Sequence, residues 1–190
     1  MNKPEISKLG HFGLVSTDLE KSLWFFKEVI GLEETEVVDG VHYLRAWGDF
    51  EHHTLTIRAG EESHLDHIAW RTKRREDVDV FAENLQAAGY EIKWVEKGTE
   101  AGQGKAFRFQ LPSKHTFEIY FDMEKTLAEP ERRSVLKNQT YKSWNKGVSP
   151  RRIDHVNLLS SLPVKELADF MQEHLGFNLR EYIEAPDGSY

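Results

Sequence analysis

The chain has no cysteine among its 190 residues, which excludes a disulfide framework and any thiolate metal site. It also lacks an excess of positive charge, because 32 acidic residues face 25 basic ones for a net charge of −7. Binding nucleic acid or an anionic membrane surface needs a dominant basic face, so neither partner is expected. Long apolar runs are missing too. The opening "MNKPEISK" has no apolar core of a secretion signal, and no window is long enough to cross a bilayer. These absences make a soluble, cytoplasmic protein the expectation. The length suits one large domain or two small ones with a sizeable core.

What the chain has in abundance is histidine, nine in total, and three of them recur in one setting. Residues 11–40 open on His11 and an alternating apolar run. They continue through Asp18, an N-cap, into a helix with apolar residues at 19, 23, 26 and 30, and Gly31 ends it where a left-handed residue is needed. Residues 67–98 repeat the plan, with His67, a helix carrying Val78, Phe81 and Leu85, and a stop at Gly89. Residues 155–188 do so again, with His155, Pro163 at the helix start, Leu167, Phe170, Met171 and Leu175 on one face, and Gly176 after it. The His-to-Gly distances are 20, 22 and 21 residues. Strand-like runs follow the first two copies (42–48 and 53–60, then 91–98, 105–112 and 116–122), so the unit reads β-α-β-β-β.

The expected fold class is therefore α+β, with tandem β-α-β-β-β repeats forming a cup-shaped mixed sheet. Residues 1–122 make a first module of two units. Residues 123–150, charged and polar with Pro130 and Pro150, read as a connector with one short helix. Residues 151–190 read as the start of a second module on a His-bearing strand, which the repeat period would continue for roughly another 75–100 residues. Left without its partner strands, this piece exposes an apolar helix face that must dock or associate.

The two first strands of a unit pair are symmetry mates, so His11 and His67 belong at matching places on the inner face. Glu118 alternates with Phe117, Ile119 and Phe121 and points the opposite way from them. Two imidazoles and one carboxylate in a cup suit non-haem Fe(II), or Zn, Ni or Mn with open positions for water. Taken singly, a His in such a strand is more often a hydrogen-bonded core residue. Other conspicuous stretches read as structure: "LWFF" (23–26) as a buried helix face, His52 and His53 as solvated imidazoles at a turn, "KRRE" (73–76) as a charged turn, and "GTEAGQG" (98–104) as a hairpin connection.

The repeat with its leading His resembles the vicinal oxygen chelate superfamily. More narrowly, "LGHFGLVSTDLEKSLWFFKEVIGLEE" (9–34), "VHYLRAWGDFEHHTLTIRAG" (41–60), "FRFQLPSKHTFEIYFD" (107–122) and "RRIDHVNLLSSLPVKELADFMQEHLGF" (151–177) resemble the N-terminal part of two-module extradiol ring-cleavage dioxygenases of the catechol 2,3-dioxygenase type. The resemblance implies a non-haem Fe(II) centre, or Mn(II), in the second module, with His155 as its first metal ligand and Asn157 approaching bound substrate and oxygen. It places the remaining ligands and the acid–base residues beyond Tyr190. It implies a catechol-type substrate, O₂ as co-substrate, a hydroxymuconic semialdehyde-type product, and a homo-oligomer, dimeric or tetrameric. The first module of this family is a scaffold without metal. The expectation for His11, His67 and Glu118 is accordingly a metal-free cup whose polar groups hydrogen-bond to one another. Two alternatives stand beside it: a single-module glyoxalase-like or resistance-type metal protein using those three residues, and a scaffold fragment without chemistry.

Overall fold

The computed structural model describes residues 3–126, 146–160, 162–186 and 188. The short helix expected in the 123–150 connector falls outside them. Eight strands form one mixed sheet: β1 (Ile6–Ser16), β2 (Glu33–Val38), β3 (Val41–Arg45), β4 (Leu55–Ala59), β5 (His64–Thr72), β6 (Lys93–Val95), β7 (Ala106–Gln110) and β8 (Thr116–Tyr120). Their order across the sheet is β2-β3-β4-β1-β5-β8-β7-β6. That order is a palindrome: each half reads first strand, fourth, third, second, and the halves meet where β1 runs antiparallel to β5. Each first strand pairs in parallel with the fourth of its own unit, β1 with β4 and β5 with β8. The expected repeat is therefore present as a pseudo-two-fold pair.

The helices follow the capping signals. Asp18 Oδ1 accepts from the Lys21 backbone N–H at 3.0 Å and starts α1 (Leu19–Trp24). A π-helical stretch, Phe25–Ile30, continues it to Gly31, which sits in the left-handed region at φ 87°. Leu19, Leu23 and Phe26 share a face at ordinary helical spacing and pack, partly buried, on Leu44, Leu55 and Ile57. Trp24 and Phe25 are 57% and 42% exposed, and Leu23 and Phe26 are only half-buried, so the "LWFF" run is not the fully buried face expected. Helix α2 (Glu76–Ala87) buries Val78, Phe81 and Leu85 against Ile68, Phe107, Phe109, Phe117 and Ile119, the larger of the two main clusters.

Residues 151–160 form no strand, because among the described residues no strand lies beside them to complete a ladder. Helix α3 (Val164–Leu175) does form, ended by Gly176 at φ 71°. Rather than leaving its apolar face in solvent, it docks on the first module. Phe170 and Leu175 are buried, with Phe170 against Tyr90 and Phe109, and the following Phe177 stacks edge-on against Trp70. Leu159 and Ile183 flank this helix in sequence and stay 92% and 93% exposed.

Candidate metal centre

The palindromic sheet lets the cup be read as pairs of equivalent positions. In β1–β4 the register partner of Gly13 is Thr56, and in β5–β8 the partner of Ala69 is Glu118. Counting from His11 and His67, these are matching places, so Thr56 is the counterpart of Glu118. One strand further out, Tyr43 lies opposite Thr56 and Arg108 lies opposite Glu118. The inner face thus carries His11 with His67, Thr56 with Glu118 and Tyr43 with Arg108. The first unit has a hydroxyl where the second has a carboxylate, and a phenol where the second has a guanidinium.

The sequence-expected trio does converge. His11, His67 and Glu118 are at most 1% exposed, and together with Glu100 their ligand-type atoms lie within 4.8 Å of one another. Glu100 was missed. It sits in the 98–104 connection between β6 and β7, which is more than a hairpin loop. The Ala101 N–H donates to the Tyr43 hydroxyl at 3.2 Å, and Gln103 Nε2 donates to Glu118 Oε1 at 2.7 Å. Segment 123–126 stitches the roof: Glu124 N–H donates to Gly102 O, His52 N–H to Glu124 O, and Thr126 N–H to Phe50 O, at 2.7–2.9 Å. These backbone bonds draw loops 50–53 and 98–104 over the cup together.

His52 and His53 are consequently buried, at 6% and 0% exposure, not solvated as expected. His52 Nε2 lies 2.9 Å from Glu36, and its Nδ1 lies 3.0 Å from His53 Nδ1, so one of these two rings donates to the other. His53 Nε2 points at Glu100 from 3.5 Å, and its ring stacks edge-on against His11. Burial, with His11 beside it, pushes the His53 pKa down to about 3.

The expected mutual hydrogen bonding of the trio is not what holds it. Glu118 Oε2 accepts from Arg108 Nε at 2.6 Å, and its other oxygen is taken by Gln103. His67 Nδ1 sits 2.8 Å from Asp66 Oδ2, leaving Nε2 as its inward atom, 3.3 Å from Glu100 and 3.4 Å from Arg108. The hydrogen bond from His67, opposed by burial and aided by Arg108 and Arg58, brings Asp66 down to about 2. Burial would raise the Glu100 carboxyl, but His11 and His53 outweigh it and hold it well below the usual range. His11 Nε2 lies 3.2 Å from Glu100 and 3.7 Å from Glu118. Neither nitrogen of His11, nor His53 Nε2, nor Glu100 Oε2 completes a hydrogen bond among the described residues. By donor type, two imidazoles with carboxylates suit Mn(II), Fe(II) or Zn(II).

Gly13 is part of this construction. A Cβ there would come within 2.6 Å of the His67 ring and 3.2 Å of Thr56 Oγ1. Gly13→Ala is expected to displace the His67 ring from Asp66 and cost about 1–3 kcal/mol, read as a lower urea midpoint. An unchanged midpoint would mean that the ring shifts freely.

His155 and Asn157 lie elsewhere. Both are exposed on the extended stretch before α3, and the His155 side chain is 86% exposed. Its Nδ1 has Asp154 Oδ2 at 3.4 Å, and among the described residues no group of three or more ligand-type side chains includes it.

A family model described as the catechol 2,3-dioxygenase-like N-terminal domain matches residues 65–124. The chain is 50% identical over 184 residues to a manganese-dependent 2,3-dihydroxybiphenyl 1,2-dioxygenase of Geobacillus genomosp. 3, covering 97% of this chain and 58% of that protein. It is 36% identical over 179 residues to a metapyrocatechase of Geobacillus stearothermophilus, covering 94% and 54%. The crystal structure of the 2,3-dioxygenase LapB from Pseudomonas sp. KL28 superposes with a TM-score of 0.84 at 27% identity, over 99% of this chain and 65% of that one. The chain thus spans rather more than half the length of the relatives it matches. By sequence and by fold alike, this chain is similar to the extradiol dioxygenases over the part of their length that it spans.

Proposed function

We propose that this chain is the scaffold module, with the opening of the metal module, of an extradiol dioxygenase. The enzyme would use O₂ to open the ring of a catechol-type substrate and release a hydroxymuconic semialdehyde-type product. The observation that carries the reading is the 50% identity, sustained over nearly the whole chain, to a protein named for that reaction type. Residues 1–122 are the first module in this reading, 123–150 the connector and 151–190 the start of the second. The protein is taken to be cytoplasmic and homo-oligomeric. The metal is Fe(II) or Mn(II), and the name of that relative favours manganese.

Within the second module His155 supplies the first ligand. Its Nδ1 faces Asp154, the arrangement that fixes a ligating imidazole's tautomer and leaves Nε2 for the metal. Such an ion, held in part by His155, would supply Lewis-acid and redox chemistry to the diol and O₂. Asn157, two residues on, has an amide that both donates and accepts, and it orients the bound diol or oxygen by a hydrogen bond. Proximity does the rest, since both reactants are held at one centre.

The single-module alternative needs His67 and Glu118 free for an ion, and Arg108 and Gln103 already engage them. The test uses the intact protein loaded with Mn(II) or Fe(II), scored for a yellow ring-fission product. His155→Ala is expected to lose metal and at least about 99% of turnover together. Asn157→Ala should keep the metal while turnover drops by roughly 10–100-fold. Full metal content in His155→Ala would refute the ligand assignment.

A further inference from the structure

We infer that Arg108 stands in the place of a divalent cation in the first-module cup, so that the cup is a metal site filled by a side chain. The inference does not depend on the dioxygenase reading. Four groups there have the chemistry of metal ligands: His11, His67, Glu100 and Glu118. Three of them point at one guanidinium. Arg108 Nε donates to Glu118 Oε2 at 2.6 Å, Nη2 donates to Glu100 Oε1, and Nη2 lies 3.4 Å from His67 Nε2. The third nitrogen, Nη1, donates to Asp66 Oδ2 at 3.3 Å, the same oxygen that faces His67 Nδ1. A guanidinium is planar, permanently charged and rich in donors, so it can satisfy several acceptors at once, as an ion would.

Placement explains why Arg108 can do this. Its register partner across β7–β8 is Glu118 itself, and the side chains of such a pair lie together on one face. Its neighbours Phe107 and Phe109 point the other way into the core, which fixes the inward direction of residue 108. The pseudo-two-fold counterpart, Tyr43, carries no charge, so the cup holds one built-in cation and not two.

An ion seeking His67 Nε2 and Glu118 must displace that guanidinium and the Gln103 amide from atoms they already occupy. Only His11 in the cup completes no hydrogen bond through either nitrogen among the described residues, though its Nε2 lies 3.2 Å from Glu100. The cup is thus organised as a site, yet closed to metal. Removing the guanidinium should open it while leaving His11, His67, Glu100 and Glu118 in place.

The test is Mn(II) binding to this chain by calorimetry and electron paramagnetic resonance, with thermal midpoints taken with and without the ion. Wild type is expected to take up no ion that depends on His11. Arg108→Gln should bind one Mn(II) per chain at least roughly 100-fold more tightly than wild type. Adding His11→Ala or His67→Ala should abolish that gain, and Mn(II) should raise the midpoint of Arg108→Gln alone. Because Arg108→Gln leaves carboxylates without their counter-charge, Arg108→Gln with Glu100→Gln serves as a second variant. It removes one charge of each sign and keeps His11, His67 and Glu118. A His11-dependent ion in wild type would overturn the inference. So would a folded variant that binds no Mn(II), or variants that neither fold alone nor are rescued by the ion.

Discussion

Truncating Glu118 to alanine is expected to destabilise the fold by about 3 kcal/mol, the low end of the scale on which breaking a buried ion pair from one side acts. Glu118 is fully buried and accepts two side-chain hydrogen bonds, from Arg108 Nε and Gln103 Nε2. Its removal strips a half-buried guanidinium of a 2.6 Å carboxylate contact and leaves the Gln103 amide without an acceptor. Glu100 and Asp66 still face Arg108, which keeps the loss below that of a fully orphaned charge. Glu118→Gln retains shape and one acceptor oxygen, so it should cost less, on the order of 1–3 kcal/mol. The check is a urea titration in which the midpoint falls at unchanged slope. Equal losses in the two variants would mean that packing volume, not charge pairing, is what Glu118 contributes.

Much of this fold was legible because its signals are local. Asp18, Gly31, Pro163 and Gly176 act within a turn or two of themselves, and their helix boundaries appear where capping chemistry puts them. The convergence of His11, His67 and Glu118 was legible for another reason. A repeat implies symmetry, and symmetry carries equivalent strands to equivalent places. Arg108 had a usable signal that went unread. It alternates with Phe107 and Phe109, as Glu118 does with Phe117 and Ile119, and a short turn joins the two strands, so the pair had to share a face.

Glu100, His52 and His53 had no such signal. They sit in connecting segments whose conformation is set by backbone hydrogen bonds to residues 123–126, far away in sequence. A glycine-rich stretch and a His pair look solvated until that segment covers them. The strand expected around His155 failed for the complementary reason. Strand propensity needs a ladder, and among the described residues no strand pairs with 151–160, although the Gly48 N–H donates to Arg151 O at 2.9 Å. Helix α3 formed regardless, since a helix satisfies its own backbone and needs only one apolar surface, which α2 and Tyr90 provide.

Mild acid should weaken the fold through His53. Its pKa is about 3 in the folded chain against an ordinary 6.5, with burial the main cause and His11 second. Between those values the unfolded chain carries a proton that the folded chain refuses. Stability therefore rises with pH across this window and is lost as pH falls below the unfolded value. Going from about pH 7 to about pH 5 should remove roughly 2 kcal/mol through this group alone, at about 1.4 kcal/mol per unit below 6.5. The loss continues to grow toward the folded pKa, where carboxylates such as Asp66 join in. His53→Asn isolates the effect, because the amide keeps a polar atom toward His52 and cannot titrate. The variant should start less stable near neutral pH, yet lose about 2 kcal/mol less than wild type on acidification over that interval. Parallel stability curves for the two proteins would mean that water reaches His53 and that the roof over the cup opens readily.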